Sequence, residues 1–295
     1  MTECFECPIM CGADRELAPG ACGAGKTPFI ARAARHYYEE PPISGTRGSG
    51  AIFFAGCNMS CVFCQNFGIS RSGSPASVFP ADESRLADLM LRLEELGAHN
   101  VNLVTPTPHT RTIEKAIPLA RDRGLTVPIV WNTNGYERVE TVKRFEGLVD
   151  IWLPDLKYVS SALAERYSGR PDYFEFASEA ITEMHRQAGI LKLGDDGTAK
   201  KGLIIRHLVL PCAVDETRRV LDFIKESFPI ETYISLMSQY TPIPGMKKPL
   251  DRRLTKGEYR RAVDYAVNLG FFNVFTQKLS SAESEYTPEF TGFTE

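Results

Sequence analysis

The run Gly56-Cys57-Asn58-Met59-Ser60-Cys61-Val62-Phe63-Cys64-Gln65-Asn66 sets three thiols at the spacing C-x3-C-x2-C. Three thiolates can hold a [4Fe-4S] cluster and leave one iron open to a further ligand, whereas a cluster wrapped by four thiolates only passes electrons. Structural zinc is the competing occupant, and it normally takes four ligands. The nearest histidines in sequence are His36 and His99, so a zinc site here would need a distant partner. The spacing therefore points to an open cluster at Cys57, Cys61 and Cys64.

Outward from this loop the chain alternates. Short apolar runs at Ala51 to Ala55, Val101 to Val104, Val127 to Trp131, Ile151 to Leu153, Leu203 to Leu210 and Thr232 to Met237 are separated by helical patterns. In one of these, Leu86, Leu89, Leu93 and Leu96 recur at three or four and Gly97 supplies a stop. Further helices are expected from about Asp172 to Gly189, from Asp215 to Phe228, and after a capping box at Thr255 to Glu258. Pro118 predicts a kink in a weaker helical stretch. Alternation of this kind gives an α/β fold with a parallel sheet. Six strand-helix units fall short of the eight of a closed barrel and fit a partial (β/α)6 TIM-like barrel. In such a barrel the loops after the strands carry the site, and the cysteine loop follows the first strand. Residues 1–49 read as an irregular, metal-binding N-terminal extension, 50–278 as the barrel, and 279–295 as an acidic Ser/Thr-rich tail, either free or packed over the open side.

With 34 Lys and Arg against 37 Asp and Glu, the formal charge of −3 offers no basic field for a phosphate backbone, so nucleic acid is not expected as a partner. No run of about eighteen apolar residues and no basic leader precede the cysteines, which predicts a cytoplasmic protein without a membrane partner. Seven of the eight cysteines fall in two tight groups, a pattern that favours metal over disulfides. The first group, Cys4, Cys7, Cys11 and Cys22, offers four thiolates and suits either a second iron-sulfur cluster or zinc. Cys212 stands alone and reads as a small packing residue. Gly20 to Thr27 matches the formal G-x4-G-K-[ST] phosphate loop, but no strand-like run precedes it and Pro28 follows at once, so nucleoside triphosphate binding is not expected.

The pattern Cys57-x3-Cys61-x-Phe63-Cys64, with an aromatic before the last cysteine, resembles the signature of the radical S-adenosylmethionine (radical SAM) superfamily. The segments EEPPISG at 39–45, GSGAIFF at 48–54, VTPTPHT at 104–110, WNTNGY at 131–136, DIWLPDLKY at 150–158, RHLVLP at 206–211 and MSQYTPIPG at 237–245 narrow the resemblance to proteins related to pyruvate formate-lyase activating enzyme. The resemblance implies an anaerobic oxidoreductase. In it the methionine end of SAM chelates the open iron, one electron cleaves the C5′–S bond, and the 5′-deoxyadenosyl radical abstracts a hydrogen atom. Implied partners are a low-potential donor such as flavodoxin or ferredoxin and a glycyl radical enzyme as target. A small-molecule or peptide substrate is the alternative, and a non-catalytic electron-transfer or sensor protein a further one.

The same resemblance distributes roles along the chain. Phe63 suits the adenine edge, or else core packing. Thr105 and Thr107 stand where relatives carry a Gly-Gly-Glu segment for the SAM amino group, with His109 behind them or on the surface. Asn132, Thr133 and Asn134 suit the ribose hydroxyls. Asp155 and Lys157 can hold the two ends of an amino acid moiety, or form a surface ion pair. Arg206 can pair with the SAM carboxylate or with Asp155.

Overall fold

Seven parallel strands form the spine of the protein in the computed structural model, which describes residues 3–70, 78–279, 290 and 292–293. Ahead of them, β1 (Phe29–His36) pairs antiparallel with β2 (Ser49–Phe54), while the short β3 (Phe79–Pro80) pairs with β1. The parallel set continues through β4 (Val101–Val104), β5 (Ile129–Thr133), β6 (Ile151–Pro154), β8 (Ala199–Leu208), β9 (Tyr233–Met237) and β10 (Val274–Thr276). A short β7 (Lys192–Leu193) lies against β8, and β11 (Gly292–Phe293) adds to the outer edge of β1. The order is β10-β9-β8-β6-β5-β4-β2-β1-β11, and its two ends are not paired with each other among the described residues. This is an open partial barrel of the α/β class.

Six of the parallel strands coincide with the six apolar runs of the sequence. The seventh, β10, and the antiparallel β1 were missed. Residues Phe29–His36, expected as part of an irregular extension, are a strand because they pair along β2, with a bulge between Ile30 and Arg32 that lets both Ile30 and Ala33 join the core. The tail expected at 279–295 lies outside the described residues except for Leu279, Phe290 and β11.

The helices cover the outer face. Asp82 caps α3 (Glu83–Glu95) by accepting from Arg85 N at 2.9 Å, and Leu86, Leu89, Met90 and Leu93 turn inward. Next, α4 (Thr110–Asp122) runs through Pro118, and the chain continues with the short α5 (Val139–Arg144) and α6 (Ser161–Ser168). The longer α7 (Tyr173–Ala188) and α8 (Val214–Ser227) match the expected spans to within two residues, and α9 (Lys256–Asn268) opens where its capping box predicts. The capping box at Thr255 and Glu258 is formed. Trp131 and Trp152 point to this helical layer, with Trp131 4.4 Å from the Phe145 ring centre.

Strand period two sends the alternate residues into the barrel. Near its floor, Val130, Ile151, Leu153 and Ile204 pack on Ile43 of α1 (Pro41–Ser44), which closes the bottom. One step higher on the same faces stand Asn132, Asp155 and Arg206. One expectation fails here: Cys212 is exposed with φ +58, its N–H donating to Glu258 and its sulfur accepting from Arg252 at 3.0 Å, so it is not a buried packing residue. Of the two settings expected for His109, behind the threonines or on the surface, the buried one holds, with its ring stacked on Phe54. The Gly20 to Thr27 segment leads into a strand instead of a helix, as its context in the sequence indicates.

Candidate active site

A cavity of about 230 Å³ opens at the C-terminal ends of the parallel strands. Cys57, Cys61 and Cys64 line it, on the loop between β2 and α2 (Phe67–Ser70). The loop and its neighbours surround their sulfurs with polar groups: Met59 N–H at 3.4 Å and Asn134 Nδ2 at 3.5 Å donate to Cys57, and the hydroxyls of Ser168 and Ser70 lie 3.1 Å from Cys61 and 3.5 Å from Cys64. Such contacts stabilise thiolate and sulfide charge and tune a cluster's potential. Burial, with Cys61 adding to it, pushes the Cys57 thiol up to about 12, and burial also raises Cys61. Ligation must therefore release protons from this loop. Among the described residues no three His, Cys, Asp or Glu side chains converge tightly enough for a single metal ion. A cubane distributes its thiolates over several iron atoms and so does not need three side chains at one ion.

Opposite the cysteines lies a network of four charges. Lys157 Nζ donates to Asp155 Oδ2 at 2.5 Å, Arg206 Nε to Asp155 Oδ1 at 3.0 Å, and Arg206 NH1 to Glu39 Oε2 at 3.2 Å. Arg206 NH2 also donates to Asn132 Oδ1 at 2.6 Å. These four ionic side chains are only 11–15% exposed, so the Asp155–Lys157 pair is not the surface ion pair that two nearby charges in a sequence often make. Burial works against the charge of Asp155, but Lys157 and Arg206 outweigh it and hold the carboxyl below its usual range. For Lys157 burial is likewise overcome, by Asp155 and then Cys61, and its pKa is raised. Two cations balance two anions, which leaves a neutral but strongly polar wall facing the cysteine loop.

Of the residues named from the sequence for cofactor binding, Phe63, Thr105, Asn132, Thr133, Asn134, Asp155, Lys157 and Arg206 line this cavity, while Thr107 and His109 do not and the N-terminal cysteines lie outside it. Phe63 is also packed edge-on against Tyr240, so it lines the cavity and joins the core at once. Thr105 leaves β4 at φ +60, a backbone region that β-branched residues rarely adopt. Thr107 differs from expectation. The turn Thr107–His109 buries it, and its hydroxyl donates to Glu137 Oε1 at 2.7 Å instead of reaching the cavity. Glu137 also accepts from Thr133 Oγ1 and Trp131 Nε1, and burial raises its pKa.

Glu39 is the site residue that sequence reasoning left without a role. Its Oε1 accepts from Asn102 and Asn132, each at 3.0 Å, and its Oε2 from Arg206. It thereby fixes the amide of Asn132 and the fork of Arg206 from below. The doublet Glu39-Glu40 directly before Pro-Pro was the available signal. Only the fold shows that the segment leading into α1 carries it under the barrel.

The chain is 32% identical over 272 residues to an uncharacterized protein of Methanocaldococcus jannaschii, covering 89% of this chain and 74% of that one. Residues 51–190 match the Radical SAM superfamily. The chain belongs to the radical SAM superfamily. A [4Fe-4S] cluster and SAM are the cofactors of that superfamily, and the cysteine loop with its polar opposite wall suits them. Among solved structures, a radical SAM methyltransferase from Sphaerobacter thermophilus superposes with a TM-score of 0.53 at 14% identity, covering 77% of this chain and 65% of that one. Streptococcus suis SuiB bound to precursor peptide SuiA gives 0.52 at 16% identity, covering 78% of this chain. The chain spans about half the length of SuiB, 48%. Among the described residues of this radical SAM protein, no helix is long and apolar enough to cross a membrane.

Proposed function

We propose that this protein is a radical SAM enzyme of the activating type, which removes a hydrogen atom from a glycine of a partner protein. The observation that supports it is the convergence, on one cavity, of the three-thiol loop with the Asp155, Lys157 and Arg206 network and the amides of Asn132 and Asn134. Bound there, a cluster and SAM supply reductive C5′–S cleavage and a hydrogen-abstracting radical. Cys57, Cys61 and Cys64 would hold the cluster.

The protein's own side chains bind and orient. Lys157 can meet a carboxylate and Asp155 an ammonium, so an amino acid end exchanges one balanced ion pair for another at little cost in uncompensated charge. Glu39 keeps the Arg206 fork and the Asn132 amide in place, so that little reorganisation is needed on binding. Asn132 and Asn134 present amides suited to ribose hydroxyls. Phe63, Phe53 and Met237 give the cavity apolar wall that keeps water from a reactive intermediate.

The choice of a glycine target follows the segments WNTNGY and DIWLPDLKY, which resemble activating enzymes, and it brings with it a flavodoxin or ferredoxin as electron donor. Anaerobic reconstitution, reduction and addition of SAM should yield 5′-deoxyadenosine. Incubation with candidate proteins deuterated at glycine, or with deuterated peptides and metabolites, then reads the target from the label in that product. Label from small molecules alone would overturn the activating reading. Absence of 5′-deoxyadenosine, with an unchanged cluster EPR spectrum on adding SAM, would leave an electron-transfer or sensor protein.

A further inference from the structure

Strand β1 is an edge that the rest of the barrel leaves partly open. On one side β2 pairs with it from Ile30 to His36. On the other, β3 covers Phe29 and Ile30, and the C-terminal strand β11 covers Arg32 and Ala33, running parallel to β1 with Arg32 beside Gly292 and Ala33 beside Phe293. Among the described residues no strand pairs with that side from Ala34 to His36. Edges of this kind accept extended peptides, with main-chain bonds giving affinity and pockets for alternate side chains giving selectivity.

The docked tail shows which pocket serves. Phe290 packs on Phe53, ring centres 5.7 Å apart and planes at 68°, against the apolar group of Ala31, Ala51, Ile69 and Val104. Phe53 is also a wall of the cavity that Cys57, Cys61 and Cys64 line. The tail therefore reaches the cavity wall through an aromatic residue, and two residues later it presents a glycine. Gly292 is buried beside Arg32 at φ +83, a backbone setting that residues with a Cβ rarely adopt. Aromatic-x-glycine is the pattern of the segment seated here.

The open end of the edge suits more peptide. His36 lines the cavity, its ring edge-on to Phe53 at 6.0 Å and to Tyr38 at 5.4 Å. Burial, with Arg32 adding to it, lowers its pKa to about 4, so it offers a neutral imidazole that can donate to a carbonyl or accept from an N–H. Tyr37 and Tyr38 are about half exposed, and the Arg35 guanidinium lies 6.0 Å from the Tyr37 ring centre. Tyrosine and arginine are the side chains that most often carry binding energy between proteins. At about 3.3 Å per residue, β1 is far longer than a single amino acid needs.

We propose that the outer edge of β1 docks the target as an extended peptide with an aromatic residue two positions before its glycine, and that β11 occupies that edge until such a segment displaces it. This rests on the glycine-target reading above and names the form in which that glycine arrives. Docking exchanges the tail's main-chain hydrogen bonds for the target's, and no covalent bond changes.

The probe is a synthetic peptide of residues 286–295, YTPEFTGFTE, labelled with a fluorophore at its N-terminus. Its binding is read by anisotropy on the anaerobically reconstituted full chain, on the Phe290→Ala chain and on a chain ending at Leu279. A tethered tail competes at an effective concentration near millimolar, so both variants should bind the probe about tenfold more tightly than the wild type. Should the shortened chain not fold, Phe290→Ala carries the comparison, since it alters one partly exposed side chain. Probes carrying Phe290→Ala or Gly292→Ala should bind about tenfold more weakly than the parent probe. Equal affinity for wild type and variants, or no binding to any of them, overturns the dock. A Gly292→Ala probe as tight as its parent overturns the requirement for glycine. In the deuterium assay, a protein that donates label to 5′-deoxyadenosine should lose most of that transfer when unlabelled tail peptide is saturating. Undiminished transfer places the target elsewhere and overturns the proposal. Were no protein to donate label, the activating reading alone would fall, because anisotropy reads the dock without any SAM chemistry.

Discussion

Arg206 donates through Nε to Asp155 Oδ1 at 3.0 Å, across the point where β8 bridges to the residue just beyond β6. The pair ties two neighbouring strand ends into one rigid wall of the cavity. Arg206→Met should leave Glu39 buried without its cation and cost about 3 kcal/mol of stability. Arg206→Lys should cost less, because the charge stays and only the forked contact to Asn132 is lost. Urea denaturation of the three proteins checks the order.

Replacing Cys57, Cys61 or Cys64 singly by Ala should abolish 5′-deoxyadenosine formation and lower iron content. Ser168→Ala, which removes a hydroxyl from 3.1 Å beside Cys61 Sγ, should retain iron while shifting the cluster's potential downward. Iron analysis with potentiometric EPR distinguishes ligand from tuning group.

Gly135 sits at φ +83 with Asp155 O only 2.2 Å from where a Cβ would be. Gly135→Ala should therefore cost about 3 kcal/mol through strain and overpacking, and displace Asp155 from its partners. Weakened SAM binding by calorimetry, alongside a lowered thermal midpoint, is the expected result.

Thr105 holds a left-handed backbone at φ +60, costly for a β-branched residue. Thr105→Gly should gain about 1 kcal/mol in denaturation while losing whatever the hydroxyl contributes to SAM binding. A variant that gains stability and loses affinity would show that strain is retained there for function.

His207 is buried as the neutral imidazole: Nδ1 donates to Leu156 O at 2.7 Å, and Nε2 lies 3.0 Å from Thr217 Oγ1. Burial lowers its pKa to about 4, against 6.5 when exposed. Between those values the unfolded chain binds the extra proton, so stability should fall as pH drops from about 6.5 towards 4, by up to about 3 kcal/mol. His207→Gln should flatten that slope in pH-dependent urea titrations.

The three-thiol loop, six of the parallel strands and the polar residues after the strands were legible because each is a local pattern. A cysteine spacing fixes how many ligands one loop can offer, and an apolar run of strand length fixes a buried strand. The strand β1 was hidden by the Cys, Gly and Pro content around it, and Thr107 was misplaced because a 3-10 turn after β4 rotates it towards Glu137. Glu39 could be quoted but not placed, since its partners Asn102, Asn132 and Arg206 lie 63, 93 and 167 residues away.

The sequence by itself determined the fold class, the cysteine chemistry and the family that chemistry belongs to, since these follow from residue type and short-range spacing. Only the tertiary structure decided that Asp155 and Lys157 are a buried pair, that Glu39 supports the site from beneath the barrel, and that Cys22 O accepts a hydrogen bond from Cys57 N–H. Those are long-range juxtapositions, and they exist only once the parallel strands align their ends and the N-terminal segment docks against the loop they hold.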